Sequence, residues 1–107
     1  MLPFNSRSRA PAYDLEEVQR LAGQGPISCK VTEVALDGGR ALGFNYDGVI
    51  EVVLAIQETD FYKSMPSVQV FGLWQDVYRL SYEGVSLYVK LQINHRGEAV
   101  VIQFKER

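Results

Sequence analysis

Residues 86–93, SLYVKLQI, alternate between apolar and polar side chains over their whole length, and this stretch decides the fold. Successive side chains of a strand point to opposite sides, so the period of two predicts one apolar and one polar face. The apolar face is Leu87, Val89, Leu91 and Ile93, and the polar face is Ser86, Tyr88, Lys90 and Gln92. A turn sequence, NHRG at 94–97, and a second alternating run over 98–106 complete a predicted antiparallel hairpin.

In the last strand of this hairpin we expect two opposed faces. They are Val100, Ile102 and Phe104 on one side and Val101, Gln103 and Lys105 on the other. Further strands are expected over 61–65 and 70–82, the first before a proline and the second ending at Glu83-Gly84.

The first half of the chain has the period of helices. Asp14 is a good N-cap, Glu17 completes a pair resembling a capping box, and an apolar stripe follows. A second short helix is expected from a cap at Ser28 to a stop at 37–39, DGG. Residues 49–56 suit a helix or a buried strand, and we favour a helix. Helices before strands predict an α+β domain, with N-terminal helices packed on a small antiparallel β-sheet.

Length and composition predict one domain. The chain has 107 residues, of which 47% are hydrophobic, and a single cysteine that cannot form an internal disulfide. We expect a flexible polar tail over 1–12 and the domain over 13–107. The sequence has no run of about 18 apolar residues, the length that a membrane span needs. The N-terminus lacks the apolar region of a secretory signal, so the expected location is the cytoplasm.

The net charge of −2 by itself argues against nucleic-acid binding. The charges are unevenly distributed, however, because residues 1–60 have a net charge of −4 and residues 61–107 of +2. This asymmetry would allow one face of the domain to meet an anion.

Several chemistries are excluded by the residues present. One histidine and one cysteine do not make an ordinary zinc site, and His95 lies in a predicted turn, where exposure is the usual state. No glycine-rich phosphate-binding motif occurs. The expected polar sheet face remains, and it includes Tyr88, Lys90, Gln103, Lys105, Gln75 and Arg79. Such a face suits a phosphate, although an open sheet face is more often simply solvated, so these residues alone do not name a function.

Four motifs that follow one another along the chain favour a phosphate-binding face over a merely solvated one. They are FYKSM at 61–65, WQDVYR at 74–79, YVK at 88–90 and FKE at 104–106, and FNYDG at 44–48 and ETD at 58–60 precede them. In this order they resemble the motility quorum-sensing regulator toxins, over roughly residues 13–107. That family is similar in fold to RelE-type toxins, and its members cleave messenger RNA without the ribosome and are inhibited by an antitoxin protein.

The resemblance implies an active site at Lys63, Gln75, Tyr88 and Lys105, of which Lys63 is suggested by the resemblance alone. It implies metal-independent attack of a ribose 2′-hydroxyl on the adjacent phosphate, with no cofactor. Tyr62, Arg79 and Lys90 are candidates for contact with single-stranded RNA, because aromatic rings and cations bind bases and phosphates. A non-catalytic domain that keeps the toxin fold and binds an antitoxin-like partner is the alternative, and the acidic net charge favours it.

Overall fold

The computed structural model describes residues 10–107. In chain order its helices and strands are α1 (Leu15–Gly23), β1 (Cys29–Val31), α2 (Glu33–Ala41), α3 (Tyr46–Ala55), β2 (Phe61–Pro66), β3 (Trp74–Tyr82), β4 (Val85–Ile93) and β5 (Ala99–Glu106). Two single 3-10 turns lie at Gly25–Ile27 and Glu58–Asp60. The predicted α+β class, with the helices N-terminal to the strands that carry the site, is confirmed.

The five strands form one sheet in the order β1-β5-β4-β3-β2. Strands β2 to β5 are antiparallel to their neighbours, but β1 runs parallel to β5. The prediction of a wholly antiparallel sheet was therefore wrong at this edge. Strand β1 has only three residues, and its pairing with residues 99–101 is a contact at long range that local periodicity does not reveal.

The three helices cover one face of the sheet. Their apolar stripes meet alternate residues of the strands, such as Tyr78, Val89 and Phe104, all at most 2% exposed. The opposite face has no helix of the described chain on it, so the polar side chains of β2 to β5 face outward there.

The second helix differs from its prediction at both ends. Thr32 caps it, with its side-chain oxygen accepting from the Ala35 amide, whereas the predicted cap, Ser28, precedes β1. Gly38 and Gly39 lie inside the helix and do not stop it. Gly38 is there because α2 approaches β5 so closely that a Cβ atom at this position would be 1.9 Å from the Phe104 carbonyl oxygen.

The other two helices agree better with the sequence. The Asp14 side chain caps α1 by accepting from the Glu16 amide, as predicted. Glu17 does not complete a capping box, because its carboxylate accepts hydrogen bonds from Arg20 instead. The ambiguous segment 49–56 is helical, and the helix begins at Tyr46 with Asn45 as its cap.

Two strand predictions needed correction. Strand β3 begins at Trp74, not residue 70, because Gly72 adopts a φ of +86° and the Ser67 amide closes a loop onto the Leu73 carbonyl. In β5 the register shifts between Val101 and Gln103, so Ile102 is an extra residue. Val101 therefore shares the buried face with Phe104, contrary to the predicted strict alternation. The turn at 94–97 is confirmed, and His95 is exposed in it.

The first residues of the described chain are hydrogen-bonded to the sheet. Of the expected flexible tail, residues 1–9 lie outside the described residues. Ala12 and Tyr13 donate their amide hydrogens to the two carboxylate oxygens of Asp76, both at 2.9 Å, and Asp76 is 1% exposed. This pairing ties the chain just before α1 to the middle of β3. Within residues 10–107, no helix is long and apolar enough to cross a membrane.

Candidate active site

The open face of the sheet is organised in cross-strand rows. Residues directly opposite each other in neighbouring strands project from the same side. One row is Lys63, Val77, Lys90 and Gln103, from β2, β3, β4 and β5 respectively. A second row, two residues along the strands, is Arg79, Tyr88 and Lys105. The register thus brings cations from four strands onto one surface.

The bulge in β5 is what adds the last strand to this surface. On one side of Ile102, Val101 is buried with Leu91, and on the other side Phe104 is buried with Val89. The extra residue allows both apolar side chains to enter the core, and it sets Gln103 and Lys105 opposite Lys90 and Tyr88. Without it, one of the two sets would lie on the wrong side of the sheet.

A second bulge, in β2, brings an aromatic ring to the same surface. Phe61 pairs with Tyr78 and Lys63 with Val77, so Tyr62 is the extra residue between them. The Tyr62 ring centre lies 4.3 Å from the guanidinium carbon of Arg79 and 5.4 Å from Lys63 Nζ. This cluster presents a flat ring beside two cations, a combination that suits an unpaired base and its phosphate.

The sequence-predicted residues are brought together. Gln75 lies opposite Met65 and two residues before Val77, so it occupies the end of the same face. Lys105 Nζ lies 4.9 Å from the centre of the Tyr88 ring. The seven candidates, Lys63, Gln75, Tyr88, Lys105, Tyr62, Arg79 and Lys90, therefore share one face, as the strand patterns predicted for all but Lys63 and Tyr62.

The face is cationic and its charges are not neutralised internally. Within residues 10–107 the ion pairs are Arg20–Glu17, Lys30–Glu98 and Arg40–Asp37, none of which includes a cation of this face. Asp76, the carboxylate nearest along β3, points to the other side of the sheet, where it holds the two backbone amides. Cations without carboxylate partners favour binding of an external anion.

Two titratable groups of the face have shifted pKa values, in opposite directions. Burial, and then the neighbouring Tyr62, raises the pKa of the Tyr88 phenol, so at neutral pH it is a proton donor. Burial, and then the ammonium groups of Lys63 and Lys105, lowers the pKa of Lys90.

One contributor to the face was missed in the sequence. Val77 is fully buried although it lies on the open face, where its cross-strand neighbours are Lys63 and Lys90. The methylene stems of such lysines lie over apolar surface and carry the charged ends outward. In the sequence, such a residue could be recognised as a single valine among polar residues at alternate positions. Strand β3 does not show this pattern clearly, because residues 76–78 are buried on both faces of the sheet.

No group of three or more histidine, cysteine, aspartate or glutamate side chains that would hold a metal ion occurs in the described part of the chain. The polar groups on the face are those of lysine, arginine, tyrosine and glutamine side chains, which bind anions or exchange protons.

Comparison with known proteins agrees with this geometry. Residues 10–106 match a family model described as "Motility quorum-sensing regulator, toxin of MqsA". Over 99 residues the chain is 33% identical to the "mRNA interferase toxin MqsR" of Escherichia coli (strain K12), an alignment that covers 92% of this chain and 97% of that protein.

Proposed function

This chain belongs to the family of motility quorum-sensing regulator toxins, and we propose that it is the toxin of a type II toxin–antitoxin system and an endoribonuclease that cleaves mRNA. The observation that carries the proposal is the open sheet face, which has four cations, two tyrosines and two glutamines, and none of these cations forms an ion pair within residues 10–107. Phosphate contacts supply most of the affinity for nucleic acids, and this face offers them.

The negative net charge does not oppose this function, because the charges are segregated. Nine of the 13 acidic residues lie within positions 14–60, the part of the chain that contains the three helices. The helices pack on the other side of the sheet, so most carboxylates are separated from the cationic face by the core. An RNA chain approaching the open face meets positive charge first.

The proposed reaction is transesterification without a metal. The ribose 2′-oxygen attacks the adjacent phosphorus, the bond from phosphorus to the 5′-oxygen breaks, and the products carry 2′,3′-cyclic phosphate and 5′-hydroxyl ends. Lys63 and Lys105 stabilise the negative charge of the phosphorane. Tyr88, which is a phenol at neutral pH, gives its proton to the leaving 5′-oxygen, and Gln75 orients the phosphate by hydrogen bonding.

Three further residues would hold the RNA. A base stacks on the exposed Tyr62 ring, whose neighbour Arg79 binds a flanking phosphate or stacks in turn. Lys90, in the centre of the face, contacts the nucleotide at the cleavage site. The substrate is expected to be single-stranded, because bases paired within a helix are not free to stack on a protein ring.

The proposal includes a partner and a location. A toxin of this family requires an antitoxin, here an MqsA-like protein, and we expect cells that make this chain without it to grow poorly. The substrate, mRNA, and the absence of any need for the ribosome are consistent with action in the cytoplasm.

The test is cleavage of a long single-stranded RNA by the purified chain in excess EDTA, beside a Lys63→Ala variant. We expect the wild type alone to cut and to leave cyclic phosphate ends. The matched control is Lys30→Ala, because Lys30 is paired with Glu98, and it should cut normally. A 2′-deoxy substitution at the cut site should abolish cleavage, and unchanged cleavage would reject the transesterification. Absence of cutting by folded wild type would favour the alternative, a non-catalytic domain that binds an antitoxin.

A further inference from the structure

We propose that Lys90 is the general base of the active site: its uncharged amine accepts the proton of the ribose 2′-hydroxyl. This inference rests on the proposed function and deepens it, because the roles above supply a proton to the leaving oxygen but leave the proton of the attacking hydroxyl without an acceptor.

Lys90 lies in the middle of the cationic face. Its strand, β4, has β3 on one side and β5 on the other. Its row includes Lys63 and Gln103, and Tyr88 is two residues away on the same face of β4. A phosphate held between Lys63 on β2 and Lys105 on β5 would lie over β3 and β4, and β4 is the strand that carries Lys90.

The side chains around Lys90 do not favour a positive charge on it. The titratable and charged groups that share the face with Lys90 are Lys63 and Tyr62 from β2, Arg79 from β3, Tyr88 from β4 and Lys105 from β5. All of them are cations or phenols, and Asp76 faces the other side of the sheet.

Lys90 is also half-buried beside Val77, whereas Lys105 is exposed. No charge of this set favours an ammonium at Lys90, and burial opposes it, which is the direction of its pKa shift. Both effects increase the fraction of Lys90 that is the uncharged amine, which is the form that a general base requires.

The nitrogen lone pair of Lys90 takes the 2′-hydroxyl proton while the 2′-oxygen forms its bond to phosphorus. The bond between phosphorus and the 5′-oxygen breaks, that oxygen keeps the electron pair, and it takes the proton of Tyr88. Lys90 ends as an ammonium and Tyr88 as a phenolate, which is stabilised by the Lys105 ammonium, whose Nζ lies 4.9 Å from the centre of the Tyr88 ring. Exchange of one proton with water restores both groups.

The decisive variant is Lys90→Arg, because arginine keeps the positive charge and does not deprotonate near neutral pH. We expect single-turnover cleavage to fall by about 100- to 10,000-fold, the usual contribution of a general base. In the wild type the rate rises with pH as Lys90 loses its proton and then levels, and in the variant this rise should disappear. The matched control, Lys30→Arg, should keep both the rate and the profile.

A substrate with a sulfur in place of the bridging 5′-oxygen distinguishes the role of the general base, Lys90, from that of the general acid, Tyr88. Thiolate leaves without protonation, so Tyr88→Phe should regain most of its rate on this substrate, whereas Lys90→Arg should stay slow. The wild type should keep its rise with pH on it, a result that needs no variant to fold. Binding of an uncleavable 2′-deoxy-substituted RNA, measured by anisotropy, should change little in Lys90→Arg.

The failures are distinguishable. If the wild type does not cleave RNA in EDTA, the proposed function is wrong. If the wild type cleaves to cyclic phosphate and Lys90→Arg cleaves as fast with the same pH profile, only the role of Lys90 is wrong, and its charge alone is what the site uses. Recovery of Lys90→Arg on the sulfur-containing substrate would likewise overturn the base assignment.

Discussion

Replacing Gly38 with alanine tests the close contact between α2 and β5. The added Cβ atom would lie 1.9 Å from the Phe104 carbonyl oxygen and 3.1 Å from its carbonyl carbon. Carbon and oxygen atoms approach no closer than about 3.3 Å, so helix and strand must separate by more than about 1 Å. The carbonyl oxygen in this clash belongs to the backbone of β5, which at Phe104 is paired with Val89 of β4, so it yields little.

The expected result is a net loss of folding stability. Alanine gains about 0.5–1 kcal/mol over glycine within a helix, whereas an added methyl group in a packed site costs about 1–3 kcal/mol or more. Because the clash is with backbone, we expect the cost near the upper end and a net loss of about 2 kcal/mol. Lys105 follows Phe104 directly, so displacement of β5 should also lower the cleavage rate.

Urea denaturation followed by the fluorescence of Trp74, the single tryptophan, measures this loss. For this stability measurement, Gly38→Ala and its control are made on a Lys63→Ala background so that the host cell tolerates them. The matched control is Gly23→Ala in α1, where nothing lies within 4 Å of the added atom, and its stability should be unchanged or slightly raised. If Gly38→Ala were as stable as Gly23→Ala, the close approach of α2 to β5 would be refuted.

Three further perturbations have defined outcomes. Asp76→Asn keeps the shape of the side chain but loses two charge-assisted hydrogen bonds from Ala12 and Tyr13, so the free energy of unfolding should fall by about 1–3 kcal/mol in urea, and an unchanged midpoint would contradict this role. Burial raises the pKa of Cys29 from 9.0 to about 11, so the unfolded thiol loses its proton first, and stability should fall as pH rises through this range. Cys29→Ala should reduce that slope, and an identical slope would show that the thiol does not contribute. Arg79→Lys keeps the charge but weakens stacking on Tyr62, so binding of 2′-deoxy-substituted RNA should weaken a few-fold, by about 0.5–1 kcal/mol, and equal affinity would exclude the stacked arrangement.

The sequence predicts the elements that are locally encoded. The alternation of residues 86–93 is enough to identify β4 and both of its faces, and Asp14 is enough to begin α1, because each depends on side chains close together in the chain. Tyr88 and Lys90 were predicted on one face for the same reason, whereas Lys105 was added on the condition that residues 98–106 pair with this strand. Lys63 required a resemblance, because FYKSM has no alternation that sets its face.

The remaining features depend on contacts between distant residues. Strand β1 exists because it pairs with β5, and α2 continues through Gly38 and Gly39 because β5 lies directly against it. The bulge at Ile102 reflects the need to bury both Val101 and Phe104 while facing two polar side chains outward. The downward pKa shift of Lys90 needs the positions of three strands at once, and no single segment contains it.

The order of the strands also has a consequence for the synthesis of this protein. The last strand to leave the ribosome, β5, lies between β1 and β4, and it carries Lys105. A nascent chain stopped before residue 99 has β1 without its partner, α2 without the surface that Gly38 contacts, and an incomplete cationic face. The folded enzyme therefore cannot form until β5 has been synthesised, and we expect a chain that stops before residue 99 to be inactive.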